Sequence, residues 1–181
     1  MPIHRRNIRA ATPEDIPTIF NLIEQLAEYE KLAHMVSGNT TMLADALFGA
    51  QPSCECCLVA DDEKIVGFAI YFTTFSTFLC KRGLYLEDLF IIPEARGRGH
   101  GKALLIYLST LAQQRQCGRF EWRVLDWNKP SIDFYRSLGA SILPEWHLVR
   151  LTDGEFTKLA AAASRFGSAC ADTGNCIPSF N

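Results

Sequence analysis

The 181-residue chain contains no apolar run near the roughly 18 residues that a membrane-spanning helix requires. Its first residues, Met1-Pro2-Ile3-His4-Arg5-Arg6, are basic, but Asn7, Arg9, Glu14 and Asp15 follow without the apolar centre of a signal peptide. These absences lead us to expect a cytoplasmic protein with no membrane partner. It also has no excess of positive charge: 18 Lys and Arg stand against 20 Asp and Glu, for a net charge of -2. Neutralising a run of phosphates needs such an excess, so nucleic acid is not an expected partner. The cysteines number seven, an odd count, and none falls at metal-ligand spacing. Cys54, Cys56 and Cys57 are too closely bunched, and no His cluster follows, so reduced thiols and no metal are expected. There is no internal repeat and no low-complexity block.

What remains is an ordinary globular composition, 48% hydrophobic and 21% charged. A chain this long buries roughly 70% of its unfolded surface and needs no disulfides. We expect one domain over residues 1–166 and a frayed, small and polar tail over 167–181. Ile3 to Arg9 reads as a strand. Thr12-Pro13-Glu14-Asp15 starts a helix, with Ile16, Ile19, Phe20, Ile23, Leu26 and Ala27 on one face. A short helix is expected over 40–48, closed by Gly49. Leu58 to Ala60 and Ile65 to Phe72 flank a polar turn, as in an antiparallel hairpin. Leu84 to Ile92 is the most strand-like segment and ends at Pro93. A helix over 102–116, capped by Gly118, leads to a strand over 120–125, which makes a βαβ unit. Asn128 to Leu138 reads as a short helix stopped by Gly139. Trp146 to Leu151 reads as a last strand and Glu155 to Phe166 as a last helix. The fold class is mixed α/β: a mostly antiparallel central sheet with one βαβ unit and flanking helices.

Chemistry concentrates where that central strand hands over to its helix. Arg96-Gly97-Arg98-Gly99-His100-Gly101-Lys102 alternates glycine with larger residues, so backbone N–H groups can approach a ligand closely. The helix that follows adds unpaired N–H donors and the positive end of its dipole, which together suit a phosphate or pyrophosphate. A Walker loop is excluded, because Arg96 stands where it needs glycine and Ala103 where it needs a hydroxyl. The dinucleotide fingerprint fails at Lys102.

The pattern that fits, Arg-x-x-Gly-x-Gly over Arg96 to Gly101, resembles the pyrophosphate loop of the GNAT superfamily of acetyl-CoA-dependent N-acetyltransferases. A second block, Asn128-Lys129-Pro130-Ser131 through Tyr135 to Gly139-Ala140, resembles the later signature of the same superfamily. Leu26-Ala27-Glu28-Tyr29-Glu30, Val66-Gly67-Phe68-Ala69, Leu84-Tyr85-Leu86-Glu87-Asp88 and Trp127-Asn128 are similar to the diamine (spermidine/spermine) acetyltransferase branch.

That resemblance covers roughly residues 7 to 152. It implies acetyl-CoA as donor, a small amine as acceptor, a cytosolic homodimer, and a cleft beside splayed central strands. Arg96 through Lys102 would hold the pyrophosphate. Leu89, Phe90 and Ile91 would offer backbone groups to the pantetheine arm, with Asn128 and Ser131 beside it.

An alkyl ammonium, with a pKa of about 10.4, must lose a proton before it attacks a thioester. The resemblance gives that task to Glu87, and a phenolic proton for the departing thiolate to Tyr135. Glu30 and Trp127 would contact the acceptor. Strand alternation puts Asp88 on the face opposite Glu87 unless a bulge intervenes. Where the polyamine enzymes carry an acid before the central strand, this chain has Ser76-Thr77-Phe78. The expected acceptors therefore include a shorter amine, a lysine-like amino acid such as thialysine, or another small polyamine. Two alternatives remain: a protein or peptide N-acetyltransferase, and a non-catalytic acyl-CoA sensor.

Overall fold

The computed structural model describes residues 6–162, so the expected tail at 167–181 lies outside the described residues. The chain groups into two compact units, one ending at Trp127 and the other beginning at Asn128.

The first unit is a five-stranded sheet in the order β1 (Arg6–Ala10), β2 (Glu55–Asp61), β3 (Lys64–Ser76), β4 (Lys81–Ile91), β5 (Arg119–Trp122). The first three pairings are antiparallel and the last is parallel, so the expected hairpin and βαβ unit are both present. Consecutive residues are buried along β2 (Cys56 to Ala60) and β3 (Val66 to Tyr71), which requires cover on both faces of the sheet. Helices α1 (Ile16–Tyr29) and α3 (His100–Gln114) both pack on β3 and β4 and help to supply it. A third helix, α2 (Thr40–Phe48), packs on α1; the Asn39 side chain accepts a bond from the Met42 N–H at its start. Among the described residues no helix is long and apolar enough to cross a membrane.

Local chemistry explains the helix ends. Asp15 closes the 3-10 turn before α1, accepting from the Thr12 N–H at 2.8 Å and from both terminal nitrogens of Arg9 at 2.6 and 2.7 Å. The guanidinium holds the Asp15 carboxyl down at about 2. The buried stripe of α1 is Ile16, Ile19, Leu22 and Leu26, with Phe20, Ile23 and Ala27 only half-buried.

Two expectations are corrected. Gly118 does not cap α3. The left-handed residue is Gln116 (φ 56°), and the Cys117 N–H returns to the Ala112 carbonyl at 2.9 Å. Gly118 instead donates to the Arg82 carbonyl at 2.7 Å and lies so close to β4 that a Cβ would meet the Lys81 Cβ at 3.1 Å, with the Leu79 side chain at 2.9 Å. The glycine serves strand approach, and an ordinary residue takes the helix stop.

The second correction is in the unit after Trp127, where 146–151 is irregular rather than a strand. Trp146, Leu148 and Val149 are 71%, 57% and 86% exposed, so neither alternate face of the segment is buried. Apolar alternation marks a strand only where a face has something to bury against. The helices of this unit are α4 (Lys129–Ser137) and α5 (Asp153–Ala161).

One contact anchors β4 to β3. A Cβ on Gly67 would sit 2.4 Å from the Phe90 carbonyl oxygen, and that backbone cannot swing aside. Gly67→Ala should therefore destabilise the protein by about 1–3 kcal/mol, as overpacking does. Gly38→Ala, with nothing within 4 Å, should change little. Urea denaturation of the two variants checks this.

Candidate active site

The glycine-rich loop begins after Ile92, with a 3-10 turn at Pro93–Ala95. Gly97 and Gly99 both take left-handed backbone, φ 74° and 84°, and Gly99 is the N-cap of α3. The first intrahelical bond runs from the Ala103 N–H to the Gly99 carbonyl at 3.0 Å. The N–H groups of His100, Gly101 and Lys102 precede it and have no intrahelical acceptor. They lie at the positive end of a 15-residue helix, which favours an anion.

The basic residues of the loop divide by role. Arg98 and Lys102 are exposed. Arg96 is braced: its Nε–H donates to the Ile91 carbonyl at 3.0 Å, and its guanidinium lies 4.3 Å from the Tyr29 ring centroid. It ties the loop to β4 and α1. His100 is 2% exposed, so its side chain faces the core and only its backbone faces the loop.

The acids gather where the sheet opens. β5 pairs with β4 only from Gly83 to Leu86, whereas β3 pairs with β4 as far as Ile91. From Glu87 onward, one edge of β4 has no strand partner among the described residues. Leu89, Phe90 and Ile91 lie on that segment. At the same point the β3 register slips: Tyr71 faces Leu86 and Ile70 faces Asp88, so Glu87 is an extra residue with nothing opposite. This is a β-bulge, and it breaks the strict alternation that would send Glu87 and Asp88 to opposite faces.

Glu87 is exposed and Asp88 is half-buried. Burial pushes the Asp88 carboxyl up to about 6, and the negative charges of Glu87 and Glu30 add to the shift. Burial also raises the Glu30 carboxyl. Glu30 is the C-cap of α1, the negative end of the helix dipole, where an acid is disfavoured. None of the three acids forms an ion pair with Lys or Arg among the described residues. Three neighbouring carboxylates without a cation attract one.

Trp127, half exposed, lies 6.2 Å from the Tyr29 ring, next to Glu30 in the chain. The sequence reading missed Asp88 as a member of this group. Two successive acids inside an apolar strand are the signal that could have suggested a bulge. A groove of about 440 Å³ lies elsewhere, lined by Phe20, Glu24, Glu28, Val36 and Asn39 among others; none of its lining residues belongs to the loop or to β4.

In the second unit, Asn128 is buried and caps α4, its side chain accepting from the Ser131 N–H at 3.4 Å. Tyr135 is half-buried on α4 with its ring 5.5 Å from that of Phe134. Gly139 (φ 89°) ends the helix, and the Ala140 N–H returns to the Tyr135 carbonyl at 3.1 Å.

Residues 22–140 match the Acetyltransferase (GNAT) family. A thialysine N-epsilon-acetyltransferase of Sus scrofa is 36% identical, over 84% of this chain and 96% of its own length. An L-ornithine N5-acetyltransferase of Arabidopsis thaliana is 32% identical, over 80% of this chain and 83% of its own. An integron cassette protein from V. cholerae has the same fold, with a TM-score of 0.71 and 26% identity over 86% of this chain and 97% of that one. A glycine-rich strand-loop-helix step beside an opened sheet, with a family match over both motif blocks, defines the class. The chain belongs to the GNAT family of acetyltransferases and is an N-acetyltransferase. Within that family it falls in the diamine acetyltransferase branch.

The raised Asp88 carboxyl has a sign that can be measured. Its folded-state value of about 6 lies above the ordinary 3.8, so the folded chain holds a proton between those values that the unfolded chain releases. Asp88 therefore contributes stability below about pH 4 that is lost as pH rises through 6. Carboxyl NMR should show Asp88 titrating near pH 6, and lower in the Glu30→Gln, Glu87→Gln double variant. Asp88→Asn should flatten the fall in stability between pH 4 and 7.

Proposed function

We propose that the protein transfers the acetyl group of acetyl-CoA to a primary amine of a small cationic molecule, by direct attack when both substrates are bound. The bulge at Glu87 carries this reading, because it sets two successive acids at the point where β4 loses its β5 partner. The loop from Gly97 to Lys102 suits a diphosphate. The unpartnered edge at Leu89 to Ile91 suits the amide-bearing arm that follows the diphosphate in coenzyme A. The acids Glu30, Glu87 and Asp88 suit an ammonium group, with the half-exposed Trp127 offering a ring face beside them.

The chemistry follows from charge. The carboxylates draw in the ammonium, and Glu87, directly or through water, accepts the proton that frees the nitrogen lone pair. The C–N bond forms as the C–S bond breaks. Tyr135 supplies a proton to the leaving sulfur; a phenol is neutral at pH 7 and still a competent donor. The relatives named above act on thialysine and ornithine, amino acids with an amine at the end of a short side chain. Such an acceptor is the preferred reading here, ahead of spermidine, since Ser76-Thr77-Phe78 carries no acid. The same reading takes the protein as a cytosolic homodimer with residues 1–166 as its acetyltransferase domain.

The test is thiol release from acetyl-CoA over thialysine, ornithine, lysine, putrescine and spermidine. Turnover is expected, with Tyr135→Phe and Glu87→Gln each lowering kcat by about 10²- to 10⁴-fold, the usual worth of a general acid or base. Protonation of Asp88 below about pH 6 weakens the attraction for the amine, so kcat/KM should fall there and Asp88→Asn should raise the amine KM. Binding of acetyl-CoA without turnover on any small amine would instead favour a peptide acceptor or a sensor.

A further inference from the structure

We propose that Asp61 is a positioning residue for the anion-binding loop, its carboxylate aiming the Arg98 guanidinium at the diphosphate of the acyl donor. This rests on the acetyl-transfer reading above.

Asp61 is the last residue of β2, before the turn into β3, and pairs with Lys64 across that turn. It is 37 residues from Arg98 in the chain, yet its Oδ2 accepts from Arg98 Nη1 at 2.9 Å. β3 brings them together. The Ile92 N–H bonds the Val66 carbonyl at 2.9 Å, so the β2–β3 turn is held alongside the start of the loop. The Asp61 side chain is only 9% exposed, whereas that of Arg98 is 54% exposed. The pair is thus anchored at one end and open at the other. A second loop residue meets the same oxygen: His100 Nε2 lies 3.6 Å from Asp61 Oδ2. That is beyond a hydrogen bond, and the buried imidazole has no hydrogen-bond partner among the described residues.

Arg98 needs such an anchor. It stands between Gly97 and Gly99, both left-handed, which offer no side chain to pack against its stem. A long cation on such a loop would sample many rotamers, and fixing one nitrogen leaves the rest of the planar group directed. A carboxylate near a diphosphate also repels it. The two effects have opposite signs, so removing the charge decides which one governs.

The experiment is calorimetric titration of coenzyme A, which binds without chemistry, into the full-length protein and its variants. Asp61→Asn should weaken binding by about 5-fold, the upper range for one partly exposed ion pair. Arg98→Ala should weaken it at least as much, and the double variant should be no weaker than Arg98→Ala alone. In turnover, Asp61→Asn should raise the acetyl-CoA KM by the same factor with kcat and the amine KM unchanged, a split that general loss of structure would not produce. If Asp61→Asn fails to fold, Asp61→Glu, which keeps the charge but displaces it by one methylene, should weaken coenzyme A binding measurably, though by less than Arg98→Ala does. Equal or tighter binding by Asp61→Asn, additive effects in the double variant, or unchanged affinity in Asp61→Glu would each overturn the proposal. A native protein that binds no coenzyme A would overturn the acetyl-transfer reading itself, and this proposal with it.

Discussion

The pairing of β3 with β4, including its one-residue slip at Glu87, is the constraint on which the site depends. Ten residue pairs run from Gly67–Ile91 to Ser76–Lys81, and the slip falls between Ile70 and Tyr71. Before the slip, β4 is an interior strand with β5 on its far side; after it, that edge of β4 has no strand partner among the described residues. The close approach of Gly67 to the Phe90 carbonyl holds the open half in place although β5 no longer supports it. The same ladder continues through the Ile92–Val66 bond to the first residue before the loop. One pairing therefore sets the direction of the open edge, the position of the acids and the point from which the phosphate-type loop departs.

Charge is divided along that strand. At its C-terminal end, unpaired N–H groups and the exposed cations Arg98 and Lys102 favour an anion. At the bulge, Glu30, Glu87 and Asp88 favour a cation. The arrangement works against stability: an acid sits at the negative end of a helix, and another is held near pH 6 by burial and repulsion. Sites that bind charged substrates commonly carry such local conflict. Arg96 does not soften it: its guanidinium is stacked over Tyr29 and bonded to the Ile91 carbonyl. The loop keeps its shape through Arg96, and among the described residues the three acids form no ion pair with Lys or Arg.

Much of this was legible beforehand because it is local. Helix starts, the hairpin and the strand-loop-helix step follow from residue spacing, and α4 is bounded by the Asn128 amide cap and by the left-handed backbone that Gly139 permits. The errors were places where local preference yielded to surroundings. Gly118 has the composition of a helix stop, but strand contact uses it and Gln116 takes the left-handed conformation instead. Trp146 to Leu151 has strand-like composition, but its side chains are exposed.

Sequence by itself determined the class of fold and the glycine-rich strand-loop-helix step. Each of these rests on spacing within one element or on a short motif. Only the tertiary structure decided that Asp88 lies with Glu30 and Glu87, that Arg96 is a brace while Arg98 is exposed, and that Asp61 reaches across 37 residues to hold it. A bulge is a mismatch between two strands, a brace is a choice among neighbours, and an ion pair between distant residues depends on how the chain returns. None of these is a property of a segment, so none can be read from one.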